Sequence, residues 1–262
     1  METYNIKVVS LTFFLLFLIP SVFLSFKLKL NIIKNVMVSS LRMVIQLSLV
    51  GIYLKYIFEY NNPLINILYI LIMITVATFS ILNSTKLNVQ KMFLAVFFSM
   101  LIPLTIMLMF FNNVILKIDN IFEAKYLVTI GGMLLGNCLS GNIIALDSFF
   151  SAIKKNEKIY LYSISLGGSR LQALAPFFQK SIIASITPII ASMATIGLVA
   201  LPGMMTGQIL GGSSPELAIK YQIAIMFAIF FTQFFSVNLS IFFSMKIGFN
   251  DFDVLNEKVF KL

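Results

Sequence analysis

The 262-residue sequence contains no histidine and a single cysteine, Cys138. Without histidine there is no imidazole metal site, no histidine general base and no Ser-His-Asp triad. One thiol builds no disulfide framework, and its place in an apolar stretch reads as a buried structural residue. Acidic residues are scarce, ten against nineteen lysines and arginines, and no apolar stretch carries the paired carboxylates of a proton-coupled pump or of an intramembrane enzyme. A Gly-x-x-x-x-Gly-Lys-Ser/Thr stretch is missing as well, so the chain holds no nucleotide in a P-loop of its own. If it moves a solute uphill, the energy enters through another subunit.

What is present is apolar. The hydrophobic fraction is 59%, against about 45–50% in soluble domains. Leu, Ile, Met and Phe come in long blocks separated by short polar stretches, the pattern of an all-α polytopic membrane protein. No long polar segment exists to fold separately, so residues 1–262 read as one transmembrane domain. The net charge of +9 lies in the connections between apolar blocks. That placement fits lipid head groups and topology control and argues against nucleic acid.

Apolar runs long enough to cross a bilayer, uncharged apart from the second, which contains Arg42, predict about seven spans. They cover Val8–Phe26, Val36–Phe58, Leu64–Asn83, Met92–Phe111, Tyr126–Leu146, a sixth starting near Ser181, and Tyr221–Met245. The first reads as a retained helix rather than a signal peptide, because no small-x-small cleavage site follows it. Lys27, Lys29, Lys34, Lys86, Lys91, Lys154, Lys155, Lys158, Arg170, Lys180, Lys246, Lys258 and Lys261 fall on one side. Only Lys7, Lys55, Lys117, Lys125 and Lys220 fall on the other. The positive-inside rule predicts an outside N-terminus and a cytoplasmic C-terminus.

One cytoplasmic connection, about 147–180, is long enough to do work. Phe149, Phe150 and Ile153 lead into Lys154-Lys155-Asn156-Glu157-Lys158, then an apolar run that Gly167-Gly168 stops. Ser169-Arg170-Leu171-Gln172 fits a capping box that opens a new helix, and Pro176 is expected to limit or kink it. This short helix is either a plain surface connection or a docking element for a cytoplasmic partner.

The sixth span is interrupted. About 35 uncharged residues run from Ser181 to Pro215, yet Pro202 and several glycines break them. A broken helix at membrane depth is buried in protein or lines a cavity, because its backbone groups need partners. Gly203, Gly207 and Gly211 recur every four residues, as do Gly132, Gly136 and Ser140; close helix packing is the plain reading of both stripes. Met204, Met205 and Gln208 are weak candidates to contact a solute or metal. Arg42 and Gln46 share a face near the cytoplasmic start of the second span, where Arg42 either snorkels or serves as a buried functional charge. Asn137/Asn142 and Gln222/Asn238 offer hydrogen bonds across helices.

The stretch Gly197-Leu-Val-Ala-Leu-Pro-Gly-Met-Met-Thr-Gly-Gln-Ile-Leu-Gly-Gly212, followed by Pro215 and Lys220-Tyr-Gln-Ile223, resembles the hallmark of the FetB-type ABC permease family. That family includes iron exporters and plant aluminium-tolerance half-transporters. Gly136-Asn137, Leu166-Gly167, Pro188, Arg42 and Gln46-Leu47 extend the match over most of the chain. The usual acidic, alanine-rich lead-in before Leu166-Gly167 is replaced here by Ile159-Tyr-Leu-Tyr-Ser163.

The resemblance implies a half-transporter in the cytoplasmic membrane, paired as a homodimer with a separate ABC ATPase that binds the ATP and Mg. It makes Gly167, Gly168, Ser169, Arg170, Leu171 and Leu174 the coupling element for that ATPase. It assigns Arg42, Gln46, Pro202, Gly203, Thr206, Gly207 and Gln222 to the motif and translocation path. It favours export of metal ions, iron first. Iron prefers imidazole, carboxylate or thiolate, which this chain hardly offers, and thioethers such as Met204 and Met205 suit softer ions. A chelated metal or a sugar nucleotide is the alternative cargo. An ATP-independent seven-helix channel or receptor is the alternative machine, though it leaves the broken sixth span unexplained.

Overall fold

The computed structural model describes residues 10, 13, 15–30, 32–250 and 252–261. Its main helices are α1 (Leu18–Lys27), α2 (Ile33–Tyr60), α3 (Pro63–Ser84), α4 (Val89–Phe110), α5 (Ala124–Lys155), α6 (Glu157–Ser165), α7 (Arg170–Thr195), α8 (Gly203–Leu210) and α9 (Pro215–Gly248). A π-helical turn, Phe111–Ile115, extends α4. Among the described residues six helices are long and apolar enough to cross a membrane: α2, α3, α4 with its π turn, α5, α7 and α9. The chain is a multi-pass, all-helical membrane protein. The expected first span, residues 8–26, lies partly outside the described residues; its described part is a 3-10 turn, Leu15–Phe17, leading into α1.

Local chemistry sets the boundaries. Asn61 takes a left-handed conformation (φ 39°) and ends α2. Asn62 then caps α3 by accepting from Leu64 N at 2.9 Å, with Pro63 in the first helical position, where its missing N–H costs nothing. Asn88 and Ser214 cap α4 and α9 in the same way.

At the centre, α9 packs against α4 and α5, α5 packs in turn against α3 and α7, and α8 rests on α9. Thr232, Ser236, Ser240 and Ser244 recur every four residues along α9, and all are buried. Side chains this small let neighbouring backbones approach closely inside a bilayer. By contrast, no residue of α2 is buried.

Two boundaries differ from expectation. The connection expected over 147–180 is mostly helix, because α5 continues to Lys155 and α6 follows directly. Pro176 does not limit the next helix either: α7 runs unbroken from Arg170 through Pro176 and Pro188 to Thr195. A proline removes one donor and crowds one carbonyl, and packing against α5 and α9 holds the helix through both sites.

Candidate functional site

The broken motif is a real break. α7 ends at Thr195, and Gly197 N donates to Ala200 O at 2.9 Å across a tight turn. Pro202 then precedes the first residue of α8. Counting from Ser181, the first residue of the uncharged run, α7 rises only about 21 Å before it stops. A hydrocarbon core is about 30 Å thick, so the break falls inside the bilayer.

A cleft of about 130 Å³ opens between α5, α7 and α9, lined by Asn137, Ser140, Gly141, Ile144, Ser185, Pro188, Ile189, Ser192 and Gln233. Gln233 stands midway in sequence between Lys220 and Lys246, the charges that bracket the apolar part of α9. Its side chain is therefore near the bilayer midplane. It donates from Nε2 to the Ser185 carbonyl at 3.0 Å. Pro188 lacks the N–H that would have reached the neighbouring Ala184 carbonyl, so the amide lies against a stretch of α7 where backbone bonding is already depleted.

Gly141 makes this contact possible. A Cβ there would sit 2.6 Å from Gln233 Nε2 and 2.8 Å from its Cγ. The amides of Asn137 and Gln233 and the hydroxyls of Ser140, Ser185 and Ser192 each donate to a helix carbonyl, so what the lining presents to the cleft is mainly their acceptor oxygens, at a depth where uncompensated polar atoms are costly.

The motif residues gather near α8 but not around one centre. Met204 packs on the hydrophobic core, and Met205 is half-buried. Thr206 Oγ1 donates back to the Pro202 carbonyl at 3.1 Å. The Oε1 atoms of Gln208 on α8 and Gln222 on α9 are buried without a partner among the described residues. Gly203 and Gly207 face open space, with nothing within 4 Å of an added Cβ, so their stripe packs on no neighbour within the chain. Arg42 and Gln46 lie exposed on α2. Among the described residues no three His, Cys, Asp or Glu side chains converge as a metal site.

At the other end of α7 the residues from Gly167 to Leu174 form a compact corner. Gly167 adopts φ +88°, a left-handed conformation that favours glycine, and a Cβ at Gly168 would meet the Ser163 carbonyl at 2.8 Å. The expected capping box is present: Ser169 N donates to Gln172 Oε1 at 3.0 Å, and Gln172 N to Ser169 Oγ at 3.4 Å. Leu171 is 61% exposed, whereas Leu174 is fully buried.

The C-terminal tail closes this corner. Arg170 pairs with Asp253 and donates from Nη2 to the Asn250 carbonyl at 3.0 Å. Tyr160 OH donates to the Asp253 carbonyl at 2.7 Å. Burial, reinforced by the Asp253 charge and opposed by Arg170, pushes the Tyr160 hydroxyl up to about 12. Farther along, Asn88 N donates to Val259 O at 2.7 Å and Lys261 N to Lys86 O at 2.8 Å. The tail therefore straps α6 and α7 to the α3–α4 turn.

Of the cross-helix amide pairs expected from sequence, Asn142 bonds across to Ser236 Oγ at 2.8 Å. Asn137 and Asn238 instead donate to carbonyls one turn back on their own helices. Neither the role of Gln233 nor the Arg170–Asp253 pair follows from the sequence reading. Gln233 carries a readable signal, as an amide at the centre of an apolar helix; the ion pair joins residues too far apart in sequence to suggest one another.

Comparison with known proteins adds a frame. The uncharacterised protein family UPF0014 matches residues 8–249. The chain is 30% identical over 250 residues to the Escherichia coli (strain K12) "Probable iron export permease protein FetB", covering 95% of each chain. It is 31% identical to Arabidopsis thaliana "Protein ALUMINUM SENSITIVE 3", covering 79% of this chain and 74% of that one. It is 29% identical to the Bacillus subtilis (strain 168) "UPF0014 membrane protein YjkA", over 83% and 86%. No solved structure matches.

Proposed function

The chain belongs to the UPF0014 family of membrane proteins, and from that premise we propose that it is the membrane-spanning permease subunit of an ABC transporter. The proposed cargo is a metal ion, iron first, exported across the cytoplasmic membrane with ATP hydrolysed by a separate cytoplasmic subunit. The observation that carries this reading is the cleft near the midplane between α5, α7 and α9, an apolar wall set with the amides of Asn137 and Gln233. Transporters bind their cargo near the midplane, beside helices whose regular bonding is interrupted, and Pro188 and the Thr195–Gly203 break supply such interruptions. The printed name of the Escherichia coli relative supports permease function and iron export.

In this reading the capped start of α7 is the coupling element, and Gly167, Gly168, Ser169, Arg170 and Leu171 set its position against the ATPase. Two permease chains and two ATPases complete the machine, and ATP with Mg stays on the ATPase. The excess of lysine at the α6–α7 corner and the tail puts that face in the cytoplasm. About seven spans then leave the N-terminus outside.

The cleft's neutral lining favours a cargo that brings its own ligands. Hydroxyls and amides bind hydrated or chelated ions by hydrogen bonding and release them readily. A sugar nucleotide is the second cargo class this lining accepts.

The test is gentle-detergent purification of the tagged chain, followed by ATP hydrolysis and inverted-vesicle uptake assays with Fe(II), Fe(III)–citrate and Cu(I). Stoichiometric recovery of a small P-loop ATPase with metal-stimulated turnover is the expected result. A well-folded chain that reproducibly purifies alone overturns the ABC assignment.

A further inference from the structure

The tail does more than close the corner. Asn250 Oδ1 accepts from Phe252 N at 3.1 Å and from Val254 N at 2.9 Å, while Asn250 N donates to Val254 O at 3.0 Å. An antiparallel bridge between Phe249 and Leu255 closes the base of this turn. Asp253, with φ 59°, is held by Arg170 and by Tyr160. The turn is therefore pinned at its base, along its backbone and through its neighbouring side chain. At its tip Phe252 is 85% exposed. A pinned turn that points a phenylalanine into solvent holds apolar area ready for a partner at little further ordering cost.

Lipid is one possible cover, and depth argues against it. Lys180 is the last charge on α7 before the uncharged run, and Arg170 lies ten residues earlier on the same helix. Ten helical residues rise about 15 Å. A head-group layer is roughly 5–8 Å thick on each side. The Arg170–Asp253 pair, with Phe252 beside it, thus stands beyond the head groups. Exposed Leu166 and Leu171 flank the same corner. In the segments that form this corner Lys154, Lys155, Lys158 and Lys258 outnumber Glu157 and Glu257. The complementary surface is a soluble protein with an apolar groove and acidic edges.

We infer that Phe252 is a second docking finger for the ATPase subunit, set beside the start of α7 by the Asn250-capped turn and the Arg170–Asp253 pair. The inference rests on the proposed ATPase partnership and adds to it a contact from the tail.

The test uses the full chain in nanodiscs of phosphatidylethanolamine and phosphatidylglycerol, titrated with the ATPase subunit purified from the wild-type complex. Phe252→Asp is expected to weaken binding by roughly tenfold or more, with Phe252→Leu close to wild type and unchanged size-exclusion behaviour for both. A Phe252→Cys chain labelled with bimane, with Cys138 buried, is expected to shift to the blue when the ATPase is added. Equal ATPase affinity for wild type and Phe252→Asp overturns the docking finger alone. A blue shift on entering lipid with none on adding ATPase overturns it too and assigns the turn to the membrane surface. If the wild-type chain binds no ATPase, both this inference and the transporter assignment fall.

Discussion

The side-chain amide of Gln233 reaches the backbone carbonyl of Ser185 at 3.0 Å, joining α9 to α7 at the middle of the bilayer. The contact depends on a third helix, because the space it uses is vacant only where Gly141 has no side chain. A hydrogen bond of this kind contributes about 1 kcal/mol net, too little to fix the fold by itself. Its importance is positional: it sets the wall of the cleft.

Gly141→Ala is therefore expected to swing Gln233 off Ser185 and lower transport several-fold while ATPase association is retained. Adding Gln233→Ala in the same chain relieves the overlap without restoring transport. Vesicle uptake measured alongside co-purification separates the two effects, and wild-type uptake by Gly141→Ala would remove the cleft from the pathway.

Leu171 and Leu174 share one helical face in sequence, yet the structure separates their roles. Leu171→Asp alters an exposed position and is expected to release the ATPase from a correctly inserted permease. Leu174→Asp puts a charge into the core and is expected to cost several kcal/mol, seen as loss of detergent-stable protein. If Leu171→Asp retains the ATPase, the start of α7 is not the coupling element.

Tyr160 predicts how the tail behaves in alkali. Its folded-state value of about 12 lies above the ordinary 10.0, so the folded chain holds the phenolic proton more tightly than the unfolded chain. That contribution is complete below about pH 10 and is lost as pH rises through about 12. Protease sensitivity of the tail is expected to rise across that window in the wild type. Tyr160→Phe removes the bond to the Asp253 carbonyl and is expected to show higher sensitivity at neutral pH and no Tyr160-dependent step.

Gly168→Ala is expected to be damaging despite its small size. The new methyl would press on the Ser163 carbonyl at 2.8 Å, and backbone cannot rotate away as a side chain can. The start of α7 would shift, and ATP hydrolysis is expected to uncouple from transport. Parallel assays of hydrolysis and uptake check this.

Much of the fold was legible because a bilayer leaves few choices. Apolar runs marked the later spans, and Pro202 with its glycines marked the break before α8. Pro176 points in the other direction: it reads as a limit or a kink, but neighbouring helices carry α7 through it. Asp147 looks like a membrane exit, yet α5 continues past it to Lys155. The cleft was only half legible. Ser140 and Pro188 stood out by spacing and resemblance, but nothing local to Gln233 shows that Gly141 faces it. The tail pairing was illegible, since Arg170 and Asp253 meet only after α7 and α9 have folded back on each other.

The strap formed by the tail separates two boundaries that are usually taken as one. The match to the UPF0014 family ends at residue 249, but hydrogen bonds to Tyr160, Arg170, Asn88 and Lys86 all come from beyond it. A chain trimmed at residue 249 would keep the cleft, the break and the start of α7, yet lose the hydrogen bonds that tie α6 and α7 to the α3–α4 turn. The stretch that matches the family and the stretch that these bonds hold together are therefore of different lengths.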